Sequence, residues 1–155
     1  MTSSTLPRIS RRHVLRGVAA VVVVRALPAI AAPELPDIPL LSQFLAGRTP
    51  RWERLKLTLP ALADNGLAVP LKLAMPGPFA PGPSVRAIRL FSEKNPVPDM
   101  AVFEFLEPVE RIEIETRVRL AGSQKVVAVT QMSDEALYAA MAEVIVTIAA
   151  CLDGS

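Results

Sequence analysis

The chain has 155 residues, enough for one domain of ordinary size, with 17 basic and 15 acidic residues, one histidine and one cysteine. Five arginines precede residue 32 and no acid precedes Glu34, so residues 32–155 keep 12 basic residues against 15 acidic ones, a net charge of −3. Because this part is mildly acidic and has only one Trp and one Tyr, we exclude the class of nucleic-acid-binding proteins.

The N-terminus has the pattern of a bacterial export signal. Arg11 and Arg12 form an adjacent basic pair, an apolar run follows, and Ala29-Ile30-Ala31 supplies small residues around a cleavage site. The pair indicates the twin-arginine route, so we predict a signal peptide over residues 1–31 and a periplasmic protein that begins at Ala32. A membrane anchor is disfavoured, because the run is too short for about 30 Å of hydrocarbon and Arg25 interrupts it.

The predicted mature chain begins with a lead-in over residues 32–50. It is proline-rich at first, and Leu40–Leu45 can then form a short helix that lays one apolar face on the domain and ends near Gly47. No membrane association is expected after removal of the signal.

Residues 51–148 predict an antiparallel β-sandwich of about seven short strands. The predicted strands are Leu55–Leu59, Val69–Met75, Val85–Phe91, Ala101–Leu106, Arg111–Leu120, Gln124–Met132 and Leu137–Ile148. Asp64-Asn65-Gly66 is interpreted as a tight turn that uses positive φ angles, and residues 132–135 as a reversal. Good helix formers surround Tyr138, but the β-branched residues 144–148 favour a strand.

Several residue groups are interpreted as structural. Glu113 and Glu115 lie on the exposed face of a strand beside Arg111 and Arg117, where cross-strand charge is expected. The three phenylalanines Phe91, Phe103 and Phe105 are expected to pack in the sandwich core.

Cys151 is the one candidate for chemistry, within a C-terminal arm formed by residues 149–155. His13 leaves with the signal peptide, which excludes Ser-His-Asp and Cys-His catalysis and histidine-ligated metals. We therefore expect no catalytic residue, no metal site and no cofactor. A single cysteine in an exported protein indicates either a reactive thiol or pairing between molecules.

Parts of the sequence also resemble a known family. The segments that carry the resemblance are Asp64–Lys72 (DNGLAVPLK), Phe91–Pro98 (FSEKNPVP), Thr116–Ala121 (TRVRLA) and Met132–Asp134 (MSD). With the twin-arginine signal and the cysteine after the last strand, they are similar to SoxY, the sulfur-carrier subunit of the bacterial thiosulfate-oxidising Sox system. The resemblance covers about residues 64–151.

The resemblance implies an immunoglobulin-like sandwich that forms a heterodimer with a SoxZ-like subunit. It implies that Cys151 holds sulfur intermediates covalently while separate enzymes act on them. A haem enzyme would join thiosulfate oxidatively to the thiol, and a hydrolase would release sulfate. The chain itself would be a carrier and not an enzyme.

Two other hypotheses stay open. The chain could be a SoxY-derived binding or assembly domain whose cysteine no longer carries sulfur, or a homodimer linked through Cys151. The family tail is Gly-Gly-Cys-Gly-Gly, whereas Ala149-Ala150 and Leu152-Asp153 flank the cysteine here. Each alanine in place of a glycine reduces the conformational freedom of the backbone, which corresponds to a free-energy difference of about 0.5–1 kcal/mol.

Overall fold

The computed structural model describes residues 33–77, 79 and 81–148, which form one short helix and eight strands. In chain order these are α1 (Pro39–Leu45), β1 (Lys56–Thr58), β2 (Leu62–Asn65), β3 (Val69–Met75), β4 (Val85–Ser92), β5 (Asp99–Glu104), β6 (Ile112–Val118), β7 (Gln124–Met132) and β8 (Leu137–Ile148). The prediction of an all-β sandwich preceded by a short helix is confirmed. The predicted signal peptide (1–31) and arm (149–155) lie outside the described residues.

The strands form two sheets that pack face to face. One sheet has three strands in the order β1-β3-β6, and the other has five in the order β2-β8-β7-β4-β5. All neighbouring strands are antiparallel except β2 and β8, which are parallel.

Alternation along the strands places the main core between the sheets. On β3 every second residue is buried, and the residues of β7 that face the three-stranded sheet are buried as well. The buried residues of β3 are Val69, Leu71, Leu73 and Met75. Each buried aliphatic side chain of this size contributes about 1.5–3 kcal/mol relative to an exposed one.

A second apolar cluster lies on the outer face of the five-stranded sheet, under α1. The helix buries Leu41 and Leu45 against Val127 and Val129 of β7, which is why β7 is apolar on both faces. Phe91 belongs to this cluster, with its ring 5.8 Å from that of Phe44. Its predicted place between the sheets is therefore wrong, because it alternates with Leu90, which points inward.

Phe103 and Phe105 are only partly buried at the margin of the main core.

The helix and the last hairpin agree with their predictions. Helix α1 ends where Ala46 and Gly47 adopt positive φ angles of 48° and 78°.

The reversal between β7 and β8 is confirmed, with Met132 N–H bonded to the Ala136 carbonyl at 2.9 Å. Glu135 has a φ of 65° in that turn. Leu137–Ile148 forms one continuous strand, as the β-branched residues predict.

The segment around Asn65 differs from its prediction. Residues 62–65 form strand β2 instead of a loop, and the chain turns just after it. The Asn65 side-chain oxygen accepts the Leu67 N–H at 3.1 Å, an Asx turn, and Gly66 does not adopt a positive φ. The sandwich consequently has eight strands and one parallel pair.

No helix among the described residues has both the length and the apolar character needed to cross a membrane.

Gly77 lies where the loop after β3 passes closest to the segment between β5 and β6. A Cβ atom at Gly77 would lie 1.8 Å from the carbonyl oxygen of Glu110, whereas one at Gly122 would meet nothing within 4 Å. We expect Gly77→Ala to lower the free energy of unfolding by about 1–3 kcal/mol, because the backbone must shift. Gly122→Ala is the matched control and should change it by less than about 0.5 kcal/mol. Urea denaturation measures both, and equal stabilities would contradict the close approach.

Candidate functional site at the root of the C-terminal arm

Cys151 lies outside the described residues, but the structure describes the strand that leads to it. The last described residue is Ile148, where β8 ends. Three residues extend at most about 11 Å, so the Cα atom of Cys151 lies within that distance of the Ile148 Cα atom. The surface around Ile148 is therefore the candidate site, and we call residues 145–148 the arm root.

The arm root extends beyond the antiparallel ladder that forms most of β8. Pairing with β7 ends at Gln124 and Val144, so β7 offers the next four residues no strand partner. On the other side β2 runs parallel to them, with Leu62 opposite Ile145 and Asn65 opposite Ile148. The pairing of β2 with β8 ends with a hydrogen bond in which Gly66 N–H donates to the Ile148 carbonyl at 2.8 Å. The Thr147 hydroxyl also donates to the Asp64 carbonyl.

A serine side chain replaces the missing β7 partner. Val146 N–H donates to Ser123 Oγ at 2.9 Å, and the Ser123 hydroxyl donates to the Val146 carbonyl at 3.4 Å. One hydroxyl group thus bonds both main-chain groups of Val146, as a neighbouring strand would. The arm root is held from both sides.

Two amide side chains fix the turn that carries Ser123. Gln124, only 3% exposed, donates to Asn95 Oδ1 at 2.9 Å and accepts the Lys94 N–H at 2.9 Å. Asn95 in turn accepts the Ala121 N–H at 2.9 Å and donates to the Arg119 carbonyl at 2.8 Å. These bonds join the β4–β5 loop to the β6–β7 turn, so the support behind the arm root is itself ordered by hydrogen bonds, three of them partly buried.

The outer surface at the arm root is apolar. Leu62 and Ile145 are register partners whose side chains lie next to each other, and both are more than half exposed. Leu67 and Ile148 are also more than half exposed nearby. Adjacent exposed aliphatic side chains of this kind are typical of surfaces that contact another molecule.

Glu115, one of the two glutamates predicted as structural, forms a cross-strand ion pair. Lys72 Nζ lies 2.8 Å from Glu115 Oε1 across β3 and β6, so the predicted cross-strand charge is confirmed at Glu115. The hydrogen bond and opposite charge of Glu115 raise the pKa of Lys72, and those of Lys72 lower the pKa of Glu115. The contribution of Glu115 is thus present above its unfolded pKa and disappears as pH falls through the lowered value. Both groups are exposed, so the pair stabilises little.

Three residues of the site were missed in the sequence analysis: Ser123, Asn95 and Gln124. Ser123 and Asn95 lie between predicted strands and Gln124 begins one, and no spacing rule links the three residues to Val146. Within residues 33–77, 79 and 81–148, no group of three potential metal ligands is present. The signal residues Arg11 and Arg12, like Cys151, lie outside the described part.

Ser123→Ala removes the oxygen that accepts the Val146 N–H and leaves that half-buried group without its partner. We expect the free energy of unfolding to fall by about 1–3 kcal/mol. Amide hydrogen exchange at Val146 should become faster. Ser133→Ala is the matched control, because Ser133 Oγ accepts the Ser84 N–H at the opposite end of β7. Unchanged exchange at Val146 in Ser123→Ala would show that the hydroxyl does not hold the arm root.

Comparison with known proteins gives one family. Residues 41–151 match the family of the sulfur oxidation protein SoxY. The structure of the sulfur carrier protein SoxY from Chlorobium limicola f. thiosulfatophilum has 31% sequence identity and a TM-score of 0.56, covering 70% of this chain and 96% of that one. The search of curated proteins gave no match.

A superoxide reductase (neelaredoxin) from Ignicoccus hospitalis is similar in structure at 19% identity and a TM-score of 0.48, over 61% of this chain and 80% of that one. The family match alone covers more than two thirds of the sequence and includes every strand as well as Cys151. The chain belongs to the SoxY family of sulfur oxidation proteins.

Proposed function

We propose that this protein is a periplasmic sulfur carrier that holds thiosulfate-derived intermediates covalently on Cys151 while partner enzymes act on them. The observation that carries the proposal is that the family match extends through residue 151, the only cysteine of the chain. The solved relative from Chlorobium limicola is described as a sulfur carrier protein, which supports the same role here.

The arm root supports a carrier in a simple mechanical way. Strand β8 is bonded on both sides up to Val146 and on the β2 side up to Ile148, so the origin of the arm is defined. Cys151 is the third residue after Ile148, so its Cα atom can be at most about 11 Å from the Ile148 Cα atom. A docked enzyme would therefore meet the sulfur close to the domain surface.

The chemistry requires only the thiolate of Cys151 from this chain. When thiosulfate is joined to the carrier, its outer sulfur bonds to Sγ, the thiol proton is released and an electron pair passes to the haem enzyme. Water then releases sulfate through the hydrolase, which leaves a persulfide on Cys151. The carrier contributes the covalent attachment, and the redox and hydrolytic groups belong to the partners.

Cys151→Ser tests the site directly. Intact-mass spectrometry of protein purified from thiosulfate-grown cells should show sulfur adducts on the unaltered chain and none on Cys151→Ser. Thiosulfate-dependent growth should be lost in the variant. An unmodified thiol under all conditions, with normal growth of Cys151→Ser, would favour the binding or assembly domain instead. A disulfide-linked homodimer on non-reducing electrophoresis, without adducts, would favour the third hypothesis.

The proposed export route has its own test. Arg11→Lys combined with Arg12→Lys should leave the precursor in the cytoplasm, because the twin-arginine pathway reads the adjacent pair. Arg8→Lys, a basic residue of the same segment outside the pair, is the control and should be exported normally. Cell fractionation and the mass of the periplasmic product measure both, with Ala32 expected as its first residue. Normal export of the double variant would contradict this route.

A further inference from the structure

The two long sides of the sandwich differ. On one side β1 lies against β8, and β2 closes the edge of the five-stranded sheet. On the opposite side β5 and β6 are the last strands of their sheets, and among the described residues each pairs on one side only. We call this side the β5–β6 seam.

The core is uncovered along the seam. No residue of β5 is buried, although Met100, Ala101 and Phe103 pack against the main core. On β6 the inward-facing Ile114 and Thr116 are only half buried. In a closed sandwich these alternating inward residues would be fully covered.

A cavity of about 410 Å³ separates the two strands, lined by Met100, Ala101 and Phe103 on one side and Thr116 and Val118 on the other.

The free edge of β5 carries little protection against pairing. Natural edge strands usually contain lysine, proline or inward-pointing charge, and β6 has Glu113, Glu115 and Arg117 on its outer face. The centre of β5 is the apolar run from Met100 to Phe103. Val102 is 44% exposed on this strand, and Leu106 just beyond it is 94% exposed. The edge is therefore suited to an added extended strand.

The charges around the cavity are unbalanced. Its charged lining residues are Asp99, Arg117 and Arg119. Asp99 forms an ion pair with Arg89 inside the five-stranded sheet. Arg117 and Arg119 are exposed and form no ion pair within the part of the chain that the structure describes. A partner at this seam would thus meet two unneutralised arginines.

We propose that the β5–β6 seam is the binding surface for a distinct subunit that adds a strand to β5 and places acidic side chains opposite Arg117 and Arg119. A second copy of this chain fits less well, because two-fold pairing through β5 would bring the arginines of both copies into the same interface. The resemblance to SoxY implies the identity of the partner, a SoxZ-like subunit, and in that respect the inference rests on the proposed function.

The position of the seam leaves the arm root accessible. In the five-stranded sheet β5 is three strand spacings from β8, about 14 Å at 4.8 Å each. A subunit on the β5 edge therefore lies beyond the opposite edge from the apolar surface of Leu62 and Ile145. Partner binding and enzyme docking would use different edges of one sheet.

Val102→Glu tests the seam, with Ile145→Glu as the matched control on the opposite edge. Both replace an exposed β-branched residue, so both variants should fold. Binding of the purified SoxZ-like subunit from the same organism is measured by calorimetry. We expect Val102→Glu to weaken it by roughly tenfold or more and Ile145→Glu by less than about twofold. Amide hydrogen exchange along β5 should be slower in the unaltered complex than in the unaltered chain alone, which tests the seam without any variant.

Charge neutralisation gives a second readout. Affinity of the unaltered chain should fall as salt concentration rises, and Arg117→Gln with Arg119→Gln should abolish that dependence. Loss of binding in Ile145→Glu but not in Val102→Glu would overturn the seam, as would self-association that Val102→Glu abolishes. Absence of binding by the unaltered chain would also overturn it. Intact-mass spectrometry of sulfur adducts on Cys151 in the same samples tests the carrier role separately.

Discussion

The parallel pairing of β2 with the last residues of β8 is the constraint on which the arrangement of this protein depends. β8 continues four residues beyond its ladder with β7, and over these residues β2, on the other edge of β8, is the strand that pairs with it. Gly66, just after β2, donates to the Ile148 carbonyl and accepts the Leu120 N–H. The end of β8 is thereby tied to the chain that follows β6, so both sheets hold the point from which the arm begins.

A defined origin matters because the proposed chemistry takes place at the chain end. The folded domain contributes no group to the sulfur chemistry in the proposed mechanism; it contributes the position and orientation of the arm root. Ser123, supported by Asn95 and Gln124, holds Val146 on the side opposite β2. A carrier in which the last strand frayed would present its thiol over a wider and less reproducible volume.

The five-stranded sheet also separates two surfaces that a carrier must keep apart. Its β2–β8 edge exposes aliphatic side chains near the arm root, and its β5 edge exposes an apolar strand beside Arg117 and Arg119, which form no ion pair among the described residues. A permanent subunit needs a large surface that stays covered, whereas visiting enzymes need one that is free between encounters. In the proposed arrangement the subunit and the enzymes would bind at opposite edges of the sheet, which would meet both requirements.

Alternation in the amino-acid sequence by itself determined most strands, because period-two patterns such as those of β3 and β6 depend only on neighbouring residues. Cys151 likewise stands out from composition alone. Tertiary structure decided the remainder. Strand β2 was missed because Asn65-Gly66 suggests a turn, and its parallel partner is some 80 residues away in the sequence. The outward position of Phe91 and the bond from Val146 to Ser123 also depend on which elements pack together, and no local pattern encodes that choice.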